Sequence, residues 1–492
     1  MADPVRDVLL LVADQWRGDA LGLLGTPGVH TPNLDALAAE GVTFTNHWCQ
    51  ASPCGPSRRS LLTGTEVRVH GQWTNDGVGR GDLPTLAAAA RAAGRRPMLI
   101  GYTDTPSPDW DPALGWAATG GPTEDAATES AVGRSLYDPA FELVRPFFWQ
   151  LGFTAYRSHL AEHELGPPLD DLMGIYPPAG PPGRLLAPSR VPAEHSDTAW
   201  LTDAALDLLD TVDEPLLLHL NWLRPHPPLI PPTPYDRLVD PDDVEPPRRG
   251  LSLAERCDQH PFFATAAGRR QLQEYLQERR SVADVTEADD RRLRAGYYGL
   301  LAEVDHHLGR VIDRLRSTGR WETTMVIVLS DHGDALGDRW LYGRRGPFDG
   351  HFRVPCLIRD PRPTAAGTRG TLIDGFTTNA DVLPTILEAI GGVVPPEVSG
   401  RSLSGLIEGQ PDTDEPDHVR YEMDWSDHGP RDDANAGALR FVAVRTERYR
   451  YVDFGTLPPL LFDLQEDPLE LVDRAVDPAL REVRNDLHAL TR

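Results

Sequence analysis

The chain has 492 residues, of which 40% are hydrophobic and 25% are charged, values typical of a globular protein with a large core. Its 74 acidic residues outnumber 48 basic residues, all of them arginine, and the net charge of −26 argues against nucleic acid as a partner. With only four cysteines and no apolar run as long as a signal-peptide core or the roughly 20 residues of a membrane span, we expect a reduced, cytoplasmic protein with no membrane partner.

The first predicted element is a strand over residues 7–13, a continuous apolar run that suits burial on both faces of a parallel sheet. Two polar residues, Asp14 and Gln15, follow it directly. A Thr-Pro turn then precedes a short helix, with Leu34 and Leu37 on one face.

Residues 54–64 read Cys-Gly-Pro-Ser-Arg-Arg-Ser-Leu-Leu-Thr-Gly. Ser57 is predicted to cap a helix that Gly64 ends, so that Cys54 precedes a helix N-terminus, where an anion is favoured, and Arg58 lies beside it. For an isolated cysteine the alternative is a half-buried structural role. The pattern Cys-x-Pro-x-Arg followed by Leu-Thr-Gly resembles the signature of the sulfatase family. In that family the cysteine is oxidised to formylglycine, an aldehyde whose hydrate is the nucleophile.

Helical and strand patterns alternate over most of the chain. Helices are predicted at 83–93, 198–212, 290–317 and 380–390, and strands at 97–101, 215–220, 325–329 and 355–358. This alternation predicts an α/β fold with a large doubly wound, mostly parallel sheet flanked by helices. The intervening residues 105–195 are expected to form long excursions over the sheet, and residues 229–285 an irregular insertion with a polar helix near 269–280.

The pattern changes after residue 397. Apolar residues alternate with period two at 439–444 and 448–454, which predicts a hairpin. We therefore expect two domains, a catalytic domain over residues 1–397 and a smaller C-terminal domain over residues 398–492, with an antiparallel sheet and a closing helix.

Polar residues end four of the predicted strands. They are Asp14 with Gln15, Tyr102, His226, and Asp331 with His332. Because ligands bind at the carboxyl ends of parallel strands, we expect these residues to converge. The alternatives are a capping aspartate in a turn for Asp331 and a surface histidine among prolines for His226.

The converging residues offer two carboxylates, an amide oxygen and an imidazole. With an oxygen from the modified Cys54, they would make a five-ligand site for one divalent cation, which suits Mn²⁺ best, with Ca²⁺ and Mg²⁺ as alternatives. The cation would bind an ester oxygen, lower the pKa of the aldehyde hydrate and offset charge on the central atom. Collapse of the hydrate's second hydroxyl to the aldehyde would then release the product.

Three further side chains fit roles around that site. Arg58 offers a donor fork beside the nucleophile, and Asn75 can donate to an ester oxygen. His226 can protonate the leaving group or bind the ester. Two other histidines, His159 and His163, lie four residues apart and can share a helical face, but without a supporting glutamate motif no metal role is expected.

Several motifs extend the resemblance along the chain. They are Asp-Gln-Trp-Arg at 14–17, Pro-Cys-Gly-Pro at 53–56, Ile-Gly-Tyr-Thr at 100–103, Arg-Pro-His-Pro-Pro at 224–228 and Ser-Asp-His-Gly at 330–333. They are similar to the sulfatase branch of the alkaline phosphatase superfamily, and within it to phosphonate monoester hydrolases and phosphodiesterases. The resemblance implies an alkaline phosphatase-like fold. It also implies metal ligands at Asp14, Gln15, Cys54, Asp331 and His332, formylglycine at Cys54, and substrate or leaving-group residues at Arg58, Asn75, Tyr102 and His226.

Local differences decide between subgroups. Typical arylsulfatases have a lysine and a histidine where this chain has residues 102–105, and commonly an asparagine at His332, so the differences favour the phosphonate and phosphodiester subgroup. This chain departs from that subgroup at Arg344, where the resemblance implies a substrate-binding lysine, and at Asp104, where it implies a threonine.

The sequence therefore predicts a metal-dependent formylglycine hydrolase of phosphonate monoesters or phosphodiesters, promiscuous toward sulfate esters. Its substrate would be a small anionic ester, and a formylglycine-generating enzyme would mature it. The alternatives are a sulfate monoesterase with the same machinery and a binding protein that has lost catalysis through Arg344 and Asp104. The family's tendency to oligomerise implies a homo-oligomer, with residues 229–285 as a contact region.

Overall fold

The structure is a computed structural model that describes residues 5–75, 77–107, 136–148, 153–165, 187–268, 280–424 and 440–492, together with Leu272 and Tyr275. The strands are β1 (Asp7–Ala13), β2 (Val42–Trp48), β3 (Ala51–Ser52), β4 (Arg96–Gly101), β5 (Glu142–Pro146), β6 (Leu216–Trp222), β7 (Thr324–Ser330), β8 (Arg353–Arg359), β9 (Thr371–Ile373), β10 (Thr377–Thr378), β11 (His418–Asp424), β12 (Arg440–Thr446), β13 (Tyr449–Asp453) and β14 (Leu460–Asp463).

The α-helices are α1 (Pro32–Ala38), α2 (Cys54–Thr63), α3 (Val67–His70), α4 (Leu86–Ala92), α5 (Thr154–Glu162), α6 (Asp197–Thr211), α7 (Leu253–Gln259), α8 (Pro261–Gly268), α9 (Glu287–Ser317), α10 (Asp349–Phe352), α11 (Val382–Ala389), α12 (Ser404–Ile407) and α13 (Arg481–Ala489). Short 3₁₀ helices lie at Gly22–Leu24, Ala193–His195, Tyr235–Arg237, Pro241–Asp243, Val282–Asp284, Trp321–Thr323, Asp338–Trp340, Pro363–Thr368, Asn379–Asp381 and Pro478–Leu480.

The larger sheet has nine strands in the order β10-β2-β8-β7-β1-β6-β4-β5, with β9 beside β2. β1 lies between β6 and β7 and runs parallel to both, whereas β8 is antiparallel to β7 and β2. Every residue of β1 is buried, as its uninterrupted apolar sequence requires. The predicted mostly parallel α/β sheet with flanking helices is confirmed.

The smaller sheet has five strands in the order β14-β13-β12-β11-β3. Its pairs are antiparallel except for the short parallel pair in which Ala51 and Ser52 of β3 lie beside Glu422 and Met423 of β11. The predicted smaller antiparallel sheet and its hairpin, β12 with β13, are therefore confirmed. The boundary between residues 397 and 398 stays a prediction.

The structure differs from the local predictions at the start of α2 and in residues 253–268. Helix α2 begins at Cys54, not after Ser57, because Pro56 falls in the first turn, where a missing N–H costs nothing. Residues 253–268, predicted to be irregular, form α7 and α8, and α7 begins with a capping box at Ser252.

The predicted excursion over residues 105–195 contains β5, which extends the larger sheet beside β4. Residues 108–135, 149–152 and 166–186 of that stretch lie outside the described residues, as does most of the polar helix predicted near 269–280. Within the described ranges, no helix is both long enough and apolar enough to cross a membrane.

Candidate active site

Four strands of the larger sheet deliver polar residues to one edge. Ala13 at the end of β1 pairs with Trp222 of β6 on one side and with Ser330 of β7 on the other. The residues that follow these strands are therefore neighbours, although more than 300 positions separate Asp14 from Asp331. The convergence predicted from the polar strand ends is present for β1, β4, β6 and β7.

Helix α2 brings Cys54 to the same edge. Cys54 is the first residue of the helix, so its backbone N–H belongs to the first turn, whose N–H groups have no partners within the helix. Gly64 ends the helix with a φ of 63°, and its N–H donates to the carbonyl of Ser60 at 2.8 Å. The positive end of the helix dipole thus faces the polar cluster.

Four side chains form a compact, fully buried cluster. The ligand atoms of Asp14, Cys54, Asp331 and His332 all lie within 4.8 Å of one another. The Nε2 atom of His332 lies 3.2 Å from Sγ of Cys54, 3.6 Å from Oδ1 of Asp14 and 4.0 Å from Oδ2 of Asp331. Ligand atoms that lie about 2.0–2.6 Å from one cation are separated from one another by distances like those within this cluster. The cluster therefore fits a metal ion.

The imidazole of His332 is oriented for metal binding. Its Nδ1–H donates to the carbonyl of Gly333 at 3.0 Å, which leaves the lone pair of Nε2 facing the other three groups. Gly333 allows this turn because an added Cβ would lie 2.2 Å from the carbonyl oxygen of Gly350. Carboxylates with one imidazole are a donor set that a divalent cation accepts, so the residues fit the predicted ion.

Arg58 connects both aspartates to the rest of the site. Its Nε donates to Oδ2 of Asp331 at 2.8 Å, and its Nη2 to Oδ2 of Asp14 at 3.1 Å. Although burial alone would lower the pKa of Arg58, Asp331 and other neighbours raise it well above its usual range. Asp14 therefore uses Oδ2 for Arg58 and presents Oδ1 to Cys54 and His332. Asp331 instead directs Oδ2 to both Arg58 and the cluster, while its Oδ1 accepts the backbone N–H groups of Gln15 and His332.

The same guanidinium identifies a site residue that the sequence analysis missed. Nη1 of Arg58 donates to Oδ1 of Asn221 at 2.5 Å, and Asn221 is fully buried on β6. A polar residue at the end of a buried strand was the available signal. The sequence analysis instead assigns His226 as the polar residue that follows this strand.

Tyr102 contacts Asp14 and Arg58, and Asn75 contacts the first turn of α2. The Tyr102 hydroxyl donates to Oδ2 of Asp14 at 2.5 Å, and its ring lies 4.3 Å from the guanidinium carbon of Arg58. Oδ1 of Asn75 accepts the backbone N–H of Gly55 at 2.8 Å, which orients the amide on the first turn of α2.

The surroundings of the cluster shift the pKa values of Asp14 and Cys54 in opposite directions. Burial alone would raise the pKa of Asp14, but the imidazoles of His226 and His332 and the guanidinium groups of Arg58 and Arg344 hold it well below its usual range. Burial and the neighbouring Asp14 raise the pKa of the Cys54 thiol well above its usual range. An unmodified Cys54 is therefore a neutral thiol and a poor nucleophile.

The backbone of Gln15 contacts the cluster, and its side chain lies beside the cluster. Its φ is 70°, its backbone N–H donates to Oδ1 of Asp331 at 3.1 Å, and its Nε2 donates to Asp334. Asp334 is buried and also accepts from the Tyr275 hydroxyl. The sequence analysis assigned no role to Asp334.

His226 and Arg344 meet above the cluster. Nη1 of Arg344 donates to Nε2 of His226 at 2.6 Å and to Oε1 of Gln15 at 3.3 Å. The Nδ1–H of His226 donates to the carbonyl of Pro227 at 2.7 Å. His226 is thus a neutral imidazole in this arrangement, with its Nε2 lone pair facing Arg344.

Asp104 also lies close, with a φ of 51° and 9% exposure. Its carbonyl accepts from Nε2 of Gln72 at 2.8 Å, and its carboxylate contributes to the raised pKa of Cys54. All ten residues predicted for the site, and Asp104 with them, therefore lie around the N-terminal end of α2.

Comparison with known proteins gives two matching family models. One, described as Sulfatase, matches residues 6–393, and the other, described as N-sulphoglucosamine sulphohydrolase, C-terminal, matches residues 337–491. The multifunctional alkaline phosphatase superfamily protein PehA of Trinickia caryophylli is 35% identical, over 98% of this chain and 93% of that protein. An arylsulfatase of Clostridium perfringens is 26% identical, over 95% of this chain and 89% of that protein.

Two solved structures are also similar to this chain over nearly its whole length. The phosphonate monoester hydrolase of Agrobacterium radiobacter matches with a TM-score of 0.88 and 32% identity, covering 99% of this chain and 96% of that one. The phosphonate monoester hydrolase of Silicibacter pomeroyi matches with a TM-score of 0.83 and 32% identity, covering 98% and 94%. The similarity spans both sheets.

Proposed function

Since the chain belongs to the sulfatase family and has the fold of its alkaline phosphatase-like members, we propose that it is a metal-dependent formylglycine hydrolase of phosphonate monoesters or phosphodiesters. As a family member it is a hydrolase of sulfuric, phosphoric or phosphonic ester bonds. The observation that carries the proposal is the buried cluster of Asp14, Cys54, Asp331 and His332 at the positive end of α2. The two phosphonate monoester hydrolases with similar structures favour the phosphonate class.

The proposed metal ligands are Asp14, Gln15, residue 54, Asp331 and His332. When bound, a divalent cation supplies positive charge that lowers the pKa of an aldehyde hydrate and offsets charge on the central atom of the ester. Mn²⁺ is the proposed ion because the ligands are mainly oxygens with one imidazole, with Ca²⁺ and Mg²⁺ as alternatives. Arg58, which donates to both aspartates, would hold their carboxylates in position for the ion.

Residue 54 is the proposed nucleophile. As the hydrate of formylglycine it supplies the attacking hydroxyl, which the neutral Cys54 thiol cannot replace. The helix dipole of α2 would favour the anionic ester in front of it. A formylglycine-generating enzyme is the proposed maturation partner, and the intact mass of protein co-expressed with that enzyme tests conversion.

His226, Arg344, Asn75 and Tyr102 would bind the ester and its leaving group. Because Nε2 of His226 accepts from Arg344, it holds no proton of its own to donate. We therefore assign this pair to binding an ester oxygen in the first instance. Proton transfer from His226 would require Arg344 to move away from Nε2.

The decisive experiment compares aryl phosphonate, phosphodiester, sulfate and phosphate esters side by side, with protein whose Cys54 has been converted. We expect the highest kcat/KM for the phosphonate or diester, with weaker sulfate turnover. Negligible turnover of both would overturn the proposal, and dominant sulfate turnover would establish the alternative, a sulfate monoesterase. Cys54→Ala is the matched control and should lose activity. If it retains full activity, residue 54 is not the nucleophile.

The metal site can be tested without turnover. Asp331→Ala should lose the bound ion from the purified protein, measured as metal per chain. Asp305→Ala is the control, because Asp305 is also buried and hydrogen-bonded but binds the backbone of α1 at Asn33 and Leu34. Unchanged metal content in Asp331→Ala would remove Asp331 from the site.

Two further proposals concern the whole protein. We propose a homo-oligomer with residues 229–285 in the contact, and a monomeric mass by light scattering would contradict it. We also propose a cytoplasmic location, which the four free cysteines support. Recovery of the native protein outside the cytoplasmic fraction would contradict that location.

A further inference from the structure

Three histidines come together away from the active site. His159 and His163 lie at the end of α5, and His195 ends the 3₁₀ helix Ala193–His195. Their ligand nitrogens all lie within 4.8 Å of one another, and Nδ1 of His195 is 3.3 Å from Nε2 of His159. The ring of His163 is 4.2 Å from that of His195 and 4.7 Å from that of His159, between centroids.

The backbone on both sides fixes this arrangement. His159 and His163 are four residues apart and so lie on one helical face. His195 precedes Ser196, whose Oγ caps α6 by accepting the N–H of Ala199 at 3.1 Å. The hydroxyl of Tyr156, on α5, donates to the carbonyl of His195 at 2.9 Å, which holds the two segments together.

The geometry suits one ion better than a simple hydrogen bond. Tetrahedral Zn²⁺ with bonds of about 2.0–2.1 Å separates its ligand nitrogens by about 3.3–3.4 Å, which matches the His159–His195 pair. A hydrogen bond between two neutral imidazoles would explain that pair but not the third ring beside both.

His163 is exposed and the other two histidines are half-buried, so an ion can enter from solvent.

We propose that His159, His163 and His195 form a second metal site, which takes a late divalent transition-metal ion of the zinc type with three imidazoles and one water. The site links the end of α5 to the start of α6, across residues 164–194 of the chain. Nitrogen-only ligands distinguish it from the oxygen-rich cluster at Cys54. The rings of Phe147 and Tyr156 lie between Tyr102 and His159, so the two sites do not share a ligand.

The test uses Zn²⁺ as the probe and counts ions per chain after excess metal is removed. Asp331→Ala, which lacks the catalytic ion, should still retain one Zn²⁺ per chain, and Asp331→Ala with His195→Ala should retain none. His30→Ala, which removes a single exposed histidine, is the control and should retain the second ion. Equal zinc content with and without His195, or an equal loss in the His30 control, would overturn the proposal. The zinc counts therefore show separately whether the cluster at Cys54 or the three-histidine site fails to bind an ion.

A second measurement follows the fold. Zn²⁺ should raise the Tm of the otherwise unaltered enzyme by at least about 2 °C, because an ion that binds only the folded chain stabilises it. His163→Ala should fold and hydrolyse substrate as before but lose the shift. An identical shift in His163→Ala would show that Zn²⁺ acts elsewhere.

Discussion

The hydroxyl of Tyr102 is the shortest-range partner of Asp14 in the site, at 2.5 Å from Oδ2. It fixes the carboxylate whose other oxygen faces the cluster. Tyr102→Phe should therefore weaken metal binding about 10–100-fold, as expected when a group that orients a ligand is lost. The dissociation constant of Mn²⁺, from calorimetric titration of metal-free protein, measures the effect.

The control for Tyr102→Phe is Tyr421→Phe. Tyr421 is equally buried, and its hydroxyl donates to the carbonyl of Pro347 at 2.7 Å, away from the metal cluster. If Tyr102→Phe leaves the Mn²⁺ affinity unchanged but raises KM, the hydroxyl binds substrate and does not orient Asp14.

Arg344 is the residue where the resemblance to the phosphonate and phosphodiester subgroup implies a lysine. Its contacts to His226 and Gln15 both come from Nη1, a single nitrogen that a lysine ammonium can replace. Arg344→Lys should keep kcat/KM within about tenfold, whereas Arg344→Ala should lose about 100-fold or more, the usual cost of one charged donor. Steady-state kinetics on the best ester checks both variants. Equal losses would show that the planar guanidinium itself is needed.

Residue type and position were enough to find the buried charges of the site but not their partners. Asp14 and Asp331 could be predicted because a carboxylate that closes a buried strand needs a partner. Asn221 was missed because an asparagine carries no charge, so its burial does not by itself call for a charged partner. Its role depends on the guanidinium of Arg58, which reaches it from another element.

The first turn of α2 lies against the loop that follows β4. A Cβ added at Gly55 would lie 2.6 Å from the carbonyl oxygen of Asp104 and 2.6 Å from Nε2 of Gln72. Gly55→Ala should therefore lower the free energy of unfolding by about 1–3 kcal/mol and displace Cys54. Urea unfolding and kcat measure the two effects.

The control for Gly55→Ala is Gly367→Ala, where an added Cβ has no atom within 4 Å among the described residues. Gly367→Ala should leave both measurements unchanged. Similar losses in the two variants would mean that the effect comes from the backbone conformation of the folded chain and not from the contact beside Cys54.

The elements that the sequence predicted well are those whose apolar pattern is set by one buried face or by complete burial. β1 and α9 are such elements, and α9 begins at a capping box between Thr286 and Asp289. β2 and β3 were missed. β3 has only two residues, too few for a pattern, and exists because β11 pairs with it from more than 350 positions away.

The two sheets share an apolar cluster beside the active site. Tyr421 of β11 stacks on Trp48 of β2, with 5.5 Å between ring centroids, and lies 4.3 Å from the ring of Phe352. The strand that carries Tyr421 also pairs with β3, two residues before Cys54. We infer that the smaller sheet positions residue 54, the proposed nucleophile, although the residues it contributes lie outside the metal cluster.

Tyr421→Ala tests that inference. Removing a buried aromatic ring should lower the free energy of unfolding by about 3–5 kcal/mol in urea, and it should also lower kcat, because β3 and the start of α2 lose their support. Tyr449→Ala, at a half-buried tyrosine of β13 in the same sheet, is the control and should cost less stability and leave kcat unchanged. If Tyr421→Ala loses stability but keeps full kcat under native conditions, the larger sheet alone holds Cys54 in place. The two sheets would then be coupled in folding but not in catalysis.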